Sequence, residues 1–324
     1  MATHCPRVAV VGNINMDAVI RVEQFPSDGQ TLLGSALKWV PGGKAANQAV
    51  AAARLGADVT VIGCVGQDAF GDRLLDSLRD AGVGTHHVRR TSADHTGTAV
   101  VMVREDGQNA IVSCLGANLR FRPREVRECA GSLLASDVVL VQLGVPLPAV
   151  EAVIDMCAEG GVPCFLDLSP IRSGPPRNWR RAALISPNQT EGRVVLGDRC
   201  SDAGAEPESV TKLLVEEGAA RVALKLGAQG CALHDGRGIR RVSAPEVSVV
   251  DTTGAGDAFL AALAVGFVES RDWDRAARMA CCAGALACTR EGAQPSLPSR
   301  QDVEQLMADR GRKCVGVPRW RGRM

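Results

Sequence analysis

The chain has no tyrosine, and aromatic residues make up only 3% of its 324 residues. A pocket that stacks a nucleobase between rings therefore has few residues to draw on; Phe25 and Trp39 are the candidates. Long uncharged apolar runs are also missing, so nothing approaches the roughly 18 residues of a membrane span. Charge of one sign is not in excess: 37 Lys and Arg face 36 Asp and Glu, interspersed along the chain, for a net charge of +1. That excludes a nucleic-acid-binding stripe and an acidic tail. The basic C-terminal stretch GRKCVGVPRWRGRM (311–324) is expected to be a flexible, solvated tail. None of the twelve cysteines forms a C-x-x-C pair. Most, such as Cys64, Cys114, Cys164 and Cys231, lie in apolar runs and read as small buried hydrophobes in a reducing compartment. MATHCPRVAVVG runs straight into a strand-like segment, so a cytoplasmic protein without a secretory leader is expected. The first strand is followed by GNINMD rather than G-x-G-x-x-G, which removes a dinucleotide-dependent dehydrogenase.

What is present is a regular alternation. RVAVVG (7–12), VTVIGCVG (59–66), DVVLVQLG, VPCFLDLS, AALISPN and RVALKLG are short apolar runs that read as buried strands. Helical segments lie between them: NQAVAAARLG (47–56), AFGDRLLDSLRDAGV (69–83), LPAVEAVIDMCAEGG and PESVTKLLVEEGA. Apolar strands alternating with helices predict a parallel sheet covered on both faces, within one α/β domain spanning 1–310. Two regions break the rhythm with period-two alternation, at 17–40 and 97–116. They predict a small satellite sheet from two insertions. Such a sheet either covers a ligand crevice or packs as an ordinary hairpin on the core; the pattern leaves both open.

Ligands of open α/β sheets bind beyond the carboxyl ends of the strands, so the strand-end loops carry the candidate chemistry. The strongest is DTTGAGDAF (251–259). Thr253–Gly256 form a bare turn whose backbone N–H groups can face an anion, and a helix expected to begin near Ala258 adds its positive end. Asp257 is then placed to take a proton from a hydroxyl attacking phosphorus, or else it caps the helix. PGGKAANQA (41–49) is a second glycine turn entering a helix. It is not a Walker A loop, because Ala45 follows Lys44. Asn47 there suits a polyol. In GNINMD, Asn15 and Asp17 share one face of an extended segment and suit a sugar diol. In SPNQTE, Asn188 and Glu191 have the spacing either of a capping box or of nucleotide and magnesium-water contacts. KLGAQG (225–230) ends a further strand, and TREGAQPS (289–296) is a late glycine- and proline-rich loop.

In order and placement, GGKAANQAVAAARLGA, DTTGAGDAF and TREGAQPS resemble the PfkB carbohydrate kinases, and within them the ribokinase branch, from about Arg7 to Leu306. The resemblance implies a ribokinase-like three-layer α/β/α sandwich with a small β-sheet lid, and transfer of the γ-phosphoryl of ATP to a sugar primary hydroxyl, the 5-hydroxyl of ribose in that branch. It implies Asp257 as base with Ala255 and Gly256 as anion hole. Asn15, Asp17, Gly43, Lys44, Asn47 and Asp257 would hold the sugar. Asn188, Lys225, Leu226, Gly227, Ala228, Gln229, Gly230 and Gly256 would hold ATP. Glu191 would order Mg2+ through water. Asp251, Thr253, Ala287, Arg290, Gly292 and Ser296 match an activating K+ site, and the lid implies a homodimer. No nucleic acid and no membrane partner is expected.

Departures from the pattern fall on the substrate side. The branch carries a sugar-contacting glutamate where this chain has Gly144, and LDLSPIR (166–172) replaces its NPAP. Ala45 and Gln189 are smaller changes. The alternatives are the same chemistry on deoxyribose, a nucleoside or a keto-deoxy sugar acid, with Arg172 as the candidate for the last. A catalytically idle sugar sensor is a further alternative.

Overall fold

The structure is a computed structural model, and it describes residues 5–104, 108–171, 174–200 and 206–314. Its strands are β1 (Arg7–Val11), β2 (Asn15–Arg21), β3 (Ala36–Gly42), β4 (Asp58–Gly66), β5 (Val83–Thr91), β6 (Gly97–Val103), β7 (Asn109–Cys114), β8 (Val138–Gln142), β9 (Cys164–Asp167), β10 (Leu184–Ile185), β11 (Val222–Lys225), β12 (Cys231–His234) and β13 (Ile239–Val242). Nine of them form the main sheet in the order β13-β12-β11-β10-β9-β8-β1-β4-β5.

Both faces of this sheet are covered, as the apolar strands require. Along β1, Val8 and Val10 pack on one side with the Lys44–Arg54, Ala255–Ser270 and Trp273–Ala287 helices. Ala9 and Val11 pack on the other side with the Leu147–Gly160 and Pro207–Glu216 helices. Full burial of each such aliphatic side chain contributes roughly 1.5–3 kcal/mol. The Ala255–Ser270 helix is apolar nearly all round and buried along its length, so it sits as an inner element rather than a surface one.

The expectation of a parallel sheet holds for β5 through β11 and fails at one edge. β11 pairs antiparallel with β12, and β12 antiparallel with β13. These four-residue strands are joined by short turns, which antiparallel pairing permits and parallel pairing does not. The satellite sheet is real and has the order β3-β2-β6-β7. Its two halves meet through the parallel pair β2–β6. Cys114, expected to be buried, is exposed at the end of β7, because the outer face of this sheet is uncovered. The last helix, Arg300–Cys314, continues into the stretch expected to be a tail; residues 315–324 lie outside the described residues.

Sheet order positions the site. At their carboxyl ends, the adjacent strands β11, β10, β9, β8 and β1 lead into or end at Lys225, Asn188, Asp167, Gln142 and Asn13. One rim therefore carries a row of polar side chains that are far apart in sequence.

Candidate active site

The glycine turn at 251–256 ends in Gly254, whose φ of 81° is the left-handed region that glycine tolerates. The helix starts at Ala255, three residues earlier than expected from the apolar run. Asp257 thus lies inside the first turn and makes no capping hydrogen bond, so the capping alternative is set aside. The Ala255 N–H donates to Thr252 O at 3.3 Å. The N–H groups of Gly256 and Asp257 have no partner among the described residues, as expected of a free helix start.

Asp257 is buried, with 4% of its surface exposed. Its Oδ2 accepts from Asn47 Nδ2 at 2.9 Å and its Oδ1 from Gln48 Nε2 at 3.1 Å. Lys44 Nζ lies 3.7 Å from the same Oδ1. Burial pushes the Asp257 carboxyl above its usual range; the Lys44 ammonium pulls it down and the Asp167 charge raises it again. Burial disfavours the Lys44 ammonium, but the Asp257, Asp167 and Glu191 charges outweigh that, so its pKa is raised.

The PGG turn explains how the residues expected to hold a sugar converge. A side chain at Gly42 would collide with the Asp17 carboxylate, and one at Gly43, where φ is 88°, would come within 2.6 Å of Asn13 O and 2.7 Å of Asn15 N. Two glycines let the backbone approach β2 closely. Asn15 and Asp17 do share a face of β2. Asn15 Oδ1 accepts from Asn118 Nδ2 at 2.9 Å, and Asn118 also accepts from Ile14 N–H at 2.9 Å. Asp17 Oδ1 and Asn47 Oδ1 are buried acceptors without a hydrogen-bond partner. Each unpaired acceptor costs about 1–3 kcal/mol unless a ligand supplies a donor.

A cavity of about 410 Å³ runs between the lid and the core, lined by Asp17, Val19, Lys38, Val40, Val101, Thr253 and Gly292 among others. Arg21 at the end of β2 pairs with Glu291 across its rim. Trp39 points to the opposite face of β3 and packs against Phe70 with ring centroids 4.7 Å apart and the rings tilted, so it does not line this cavity. Arg172 lies outside the described residues.

On the other side, Asn188 and Glu191 do form a capping box: Glu191 N–H donates to Asn188 Oδ1 and Asn188 N–H to Glu191 Oε2, both at 2.8 Å. Glu191 Oε1 accepts no hydrogen bond among the described residues, and its charge reaches Lys44. Lys225 N–H donates to Pro187 O at 2.8 Å, which joins the SPN and KLGAQG segments. Gly227–Gln229 is an exposed single turn closed by Gly230, with φ of 89°. Asp251 braces the glycine turn: Oδ1 accepts from Thr253 N–H at 2.9 Å and Oδ2 from Gly292 N–H at 2.8 Å. Val250 N–H donates to Cys288 O at 2.8 Å, so 251–253 and 287–292 lie side by side. Ser296 Oγ donates to Ala293 O at 2.8 Å, leaving its lone pairs. Arg290 is exposed.

Four residues not singled out from the sequence complete the cluster. Asp167 is fully buried and accepts from Lys225 Nζ at 2.8 Å and Gln48 Nε2 at 3.1 Å. Gln142 Nε2 donates to Gln48 Oε1 at 2.5 Å. The available signal was a polar residue closing an apolar strand, as in VVLVQ and CFLD, which a doubly covered sheet buries only with partners. The fourth is Asn13, whose Oδ1 accepts from Lys44 N–H at 3.2 Å. A Cβ at position 144 would lie against this side chain, 2.8 Å from Asn13 Cβ, so Gly144 makes room for Asn13. Gly144→Ala is expected to destabilise by about 1–3 kcal/mol through overpacking. Asn13→Ala in the same chain should remove most of that penalty, and denaturation of the four variants of the cycle measures the coupling.

Comparison with known proteins agrees with this geometry. The model of the pfkB family carbohydrate kinases matches residues 6–300. Ribokinase of Haemophilus influenzae is 33% identical over 300 residues, covering 93% of this chain and 98% of that protein. Deoxyribokinase of Salmonella typhi is 30% identical over 302 residues, covering 93% and 98%. The structure of Arabidopsis thaliana ribokinase complexed with ribose and ATP superposes with a TM-score of 0.85 at 32% identity, covering 94% of this chain and 99% of that one. With a buried carboxylate pair, a free helix start and a lidded cavity on this sheet, and with that match over nearly its whole length, the chain is a member of the pfkB family of carbohydrate kinases, an ATP-dependent sugar kinase.

Proposed function

We propose that the acceptor is D-ribose and the product ribose 5-phosphate. The observation that carries a polyol acceptor is the pair of buried, unpartnered acceptors, Asp17 Oδ1 and Asn47 Oδ1; sugar hydroxyls are donors that satisfy both. Ribose in particular is supported by the ribokinases to which the chain is similar. Asn15, Asp17, Gly43, Lys44 and Asn47 hold the sugar with its 5-hydroxyl at Asp257. That carboxylate takes the hydroxyl proton as the oxygen bonds to the γ-phosphorus, and the bond to the bridging oxygen breaks with its electron pair staying on ADP. The open N–H groups at Gly256 and Asp257, with Ala255 beside them, offset charge on the phosphoryl oxygens. Asn188 and the Lys225–Gly230 turn hold the nucleotide.

Glu191, with one free carboxylate oxygen near Lys44, suits a water-mediated contact to Mg2+, which retains waters and binds phosphates. The Asp251, Thr253, Ala287, Arg290, Gly292 and Ser296 set offers carbonyl, carboxylate and hydroxyl oxygens, the donors a hard monovalent cation such as K+ takes. Bound there, K+ supplies charge that fixes the turn entering the anion hole. Asp251→Ala should lower kcat about 10- to 100-fold by loosening that turn and flatten the response of rate to KCl against choline chloride. The uncovered outer lid face, with Leu37 and Val112 exposed, supports a homodimer through the lid. A cytoplasmic location fits a nucleotide-dependent kinase, and no described helix is long and apolar enough to cross a membrane.

ATP consumption with ribose, deoxyribose, adenosine and keto-deoxygluconate tests the substrate. A clear preference for ribose supports the reading, and a preference for another compound replaces it. Deoxyribose is the second reading, supported by the deoxyribokinase to which the chain is similar.

A further inference from the structure

Among the buried carboxylates at this site, Asp167 is the one that the chemistry above leaves unused. Asp167 and Asp257 are joined by Gln48 Nε2, which lies 3.1 Å from an oxygen of each, and by Lys44 Nζ, 3.8 Å and 3.7 Å away. Lys225 completes the row, 2.8 Å from Asp167 Oδ1. The order is Asp257, Lys44, Asp167, Lys225, with two cations balancing two anions before any ligand arrives. A lone structural ion pair would satisfy Asp167 equally well; three features argue for more. Lys225 closes β11 at the ligand rim, between the nucleotide turn and Asp257. A Cβ on Gly256 would be 3.7 Å from Lys225 Nζ, so the ammonium stands beside the helix turn whose N–H groups are open. An ammonium has three protons; one goes to Asp167, and the others have no partner among the described residues.

We propose that the Lys225 ammonium is the side-chain half of the anion hole, contacting the transferring phosphoryl group and its bridging oxygen, with Asp167 as the residue that positions it. This rests on the kinase reading. In the step, the sugar oxygen bonds to the γ-phosphorus and its proton passes to Asp257. The bond from phosphorus to the bridging oxygen breaks, and the electron pair stays on the β-phosphate of ADP. Lys225 exchanges no proton; its charge offsets the negative charge that builds on the phosphoryl and leaving oxygens. Gln48, held by Gln142, keeps the two carboxylates at fixed separation, so base and ammonium approach the reacting group from fixed directions.

The test compares the unsubstituted enzyme with Lys225→Met and with the double variant Asp167→Asn, Lys225→Met. The double variant removes both charges together and leaves no buried carboxylate unpaired, so it separates catalysis from folding. Both variants are expected to lose about 100-fold in kcat, as when one oxyanion donor is removed. KM for the sugar and Kd for ADP should stay within about threefold. Binding of ADP with aluminium fluoride and sugar, a mimic of the phosphoryl in transfer, should weaken by a factor similar to the kcat loss. A double variant with kcat within about threefold of the unsubstituted enzyme, or with undiminished affinity for the aluminium fluoride complex, would overturn the proposal and leave Lys225 as a counter-ion. Absence of ATP turnover by the unsubstituted enzyme on any sugar would instead sink the kinase reading.

Discussion

Asp257→Asn is expected to lower kcat by about 10³- to 10⁴-fold, the upper range for removing a general base, with sugar affinity nearly kept. That corresponds to about 4–5.5 kcal/mol of barrier. The side chain is buried, its two oxygens are held by Asn47 and Gln48, and an amide of the same shape fills the same space. What the amide lacks is the negative charge and basicity needed to take the proton. The pH dependence has a defined sign. Burial raises the Asp257 carboxyl above its ordinary value, and a base works only when deprotonated, so kcat falls as pH drops through that raised value. Rapid-quench measurement of phosphoryl transfer, with calorimetric titration of ribose, checks both parts. Turnover within about tenfold of the unsubstituted enzyme would remove Asp257 from the base role.

Asp17→Asn is expected to weaken sugar binding about 10²- to 10³-fold, or roughly 3–4 kcal/mol, while making the free enzyme more stable at alkaline pH. The carboxyl of Asp17 is pushed up to about 7, chiefly by burial; the Ala99 backbone amide pulls it down and the Asp257 charge raises it. Between the unfolded value near 3.8 and about 7, the folded chain therefore holds a proton that the unfolded chain has lost. The stability this provides is fully present below about 3.8 and is lost progressively as pH rises to about 7. Asparagine stays neutral throughout. The stability of the variant relative to the unsubstituted enzyme should rise by about 1–2 kcal/mol, a few degrees in Tm, between pH 5 and pH 8. Sugar binding near neutral pH should also release a proton from the unsubstituted enzyme, because hydroxyl donors favour the charged carboxylate. Calorimetry in two buffers of different ionisation enthalpy detects that release, and the variant should not show it. Equal Tm differences at pH 5 and pH 8 would contradict the assignment.

Composition and local pattern alone determined several features. The apolar runs alternating with helices require a doubly covered sheet, because a strand apolar on both faces has nowhere else to go. The period-two segments require a sheet with one open face, found as β3-β2-β6-β7. The glycine turns mark where backbone must approach a ligand or another strand, and Gly43 and Gly254 both have positive φ. These are local consequences of side-chain period and backbone freedom, so a few neighbouring residues suffice to show them.

The tertiary structure decided the rest. The antiparallel edge at β12 and β13 rests on strands of four residues, too short for a period to declare itself. The helix start at Ala255 was hidden because glycine and alanine carry no apolar period. Asp167 and Lys225 are 58 residues apart, and Gln48 and Asp257 are 209 apart. They meet because β9 lies two places from β11 and because the Lys44–Arg54 helix packs on the Ala255–Ser270 helix. Asn13 fills the space that a side chain at Gly144 would need, a contact between two strand ends that no local pattern shows. A buried charge needs a partner of known sign and a cavity needs a filler of known size. Which residues supply them is set by strand order, a property of the whole chain rather than of any window within it.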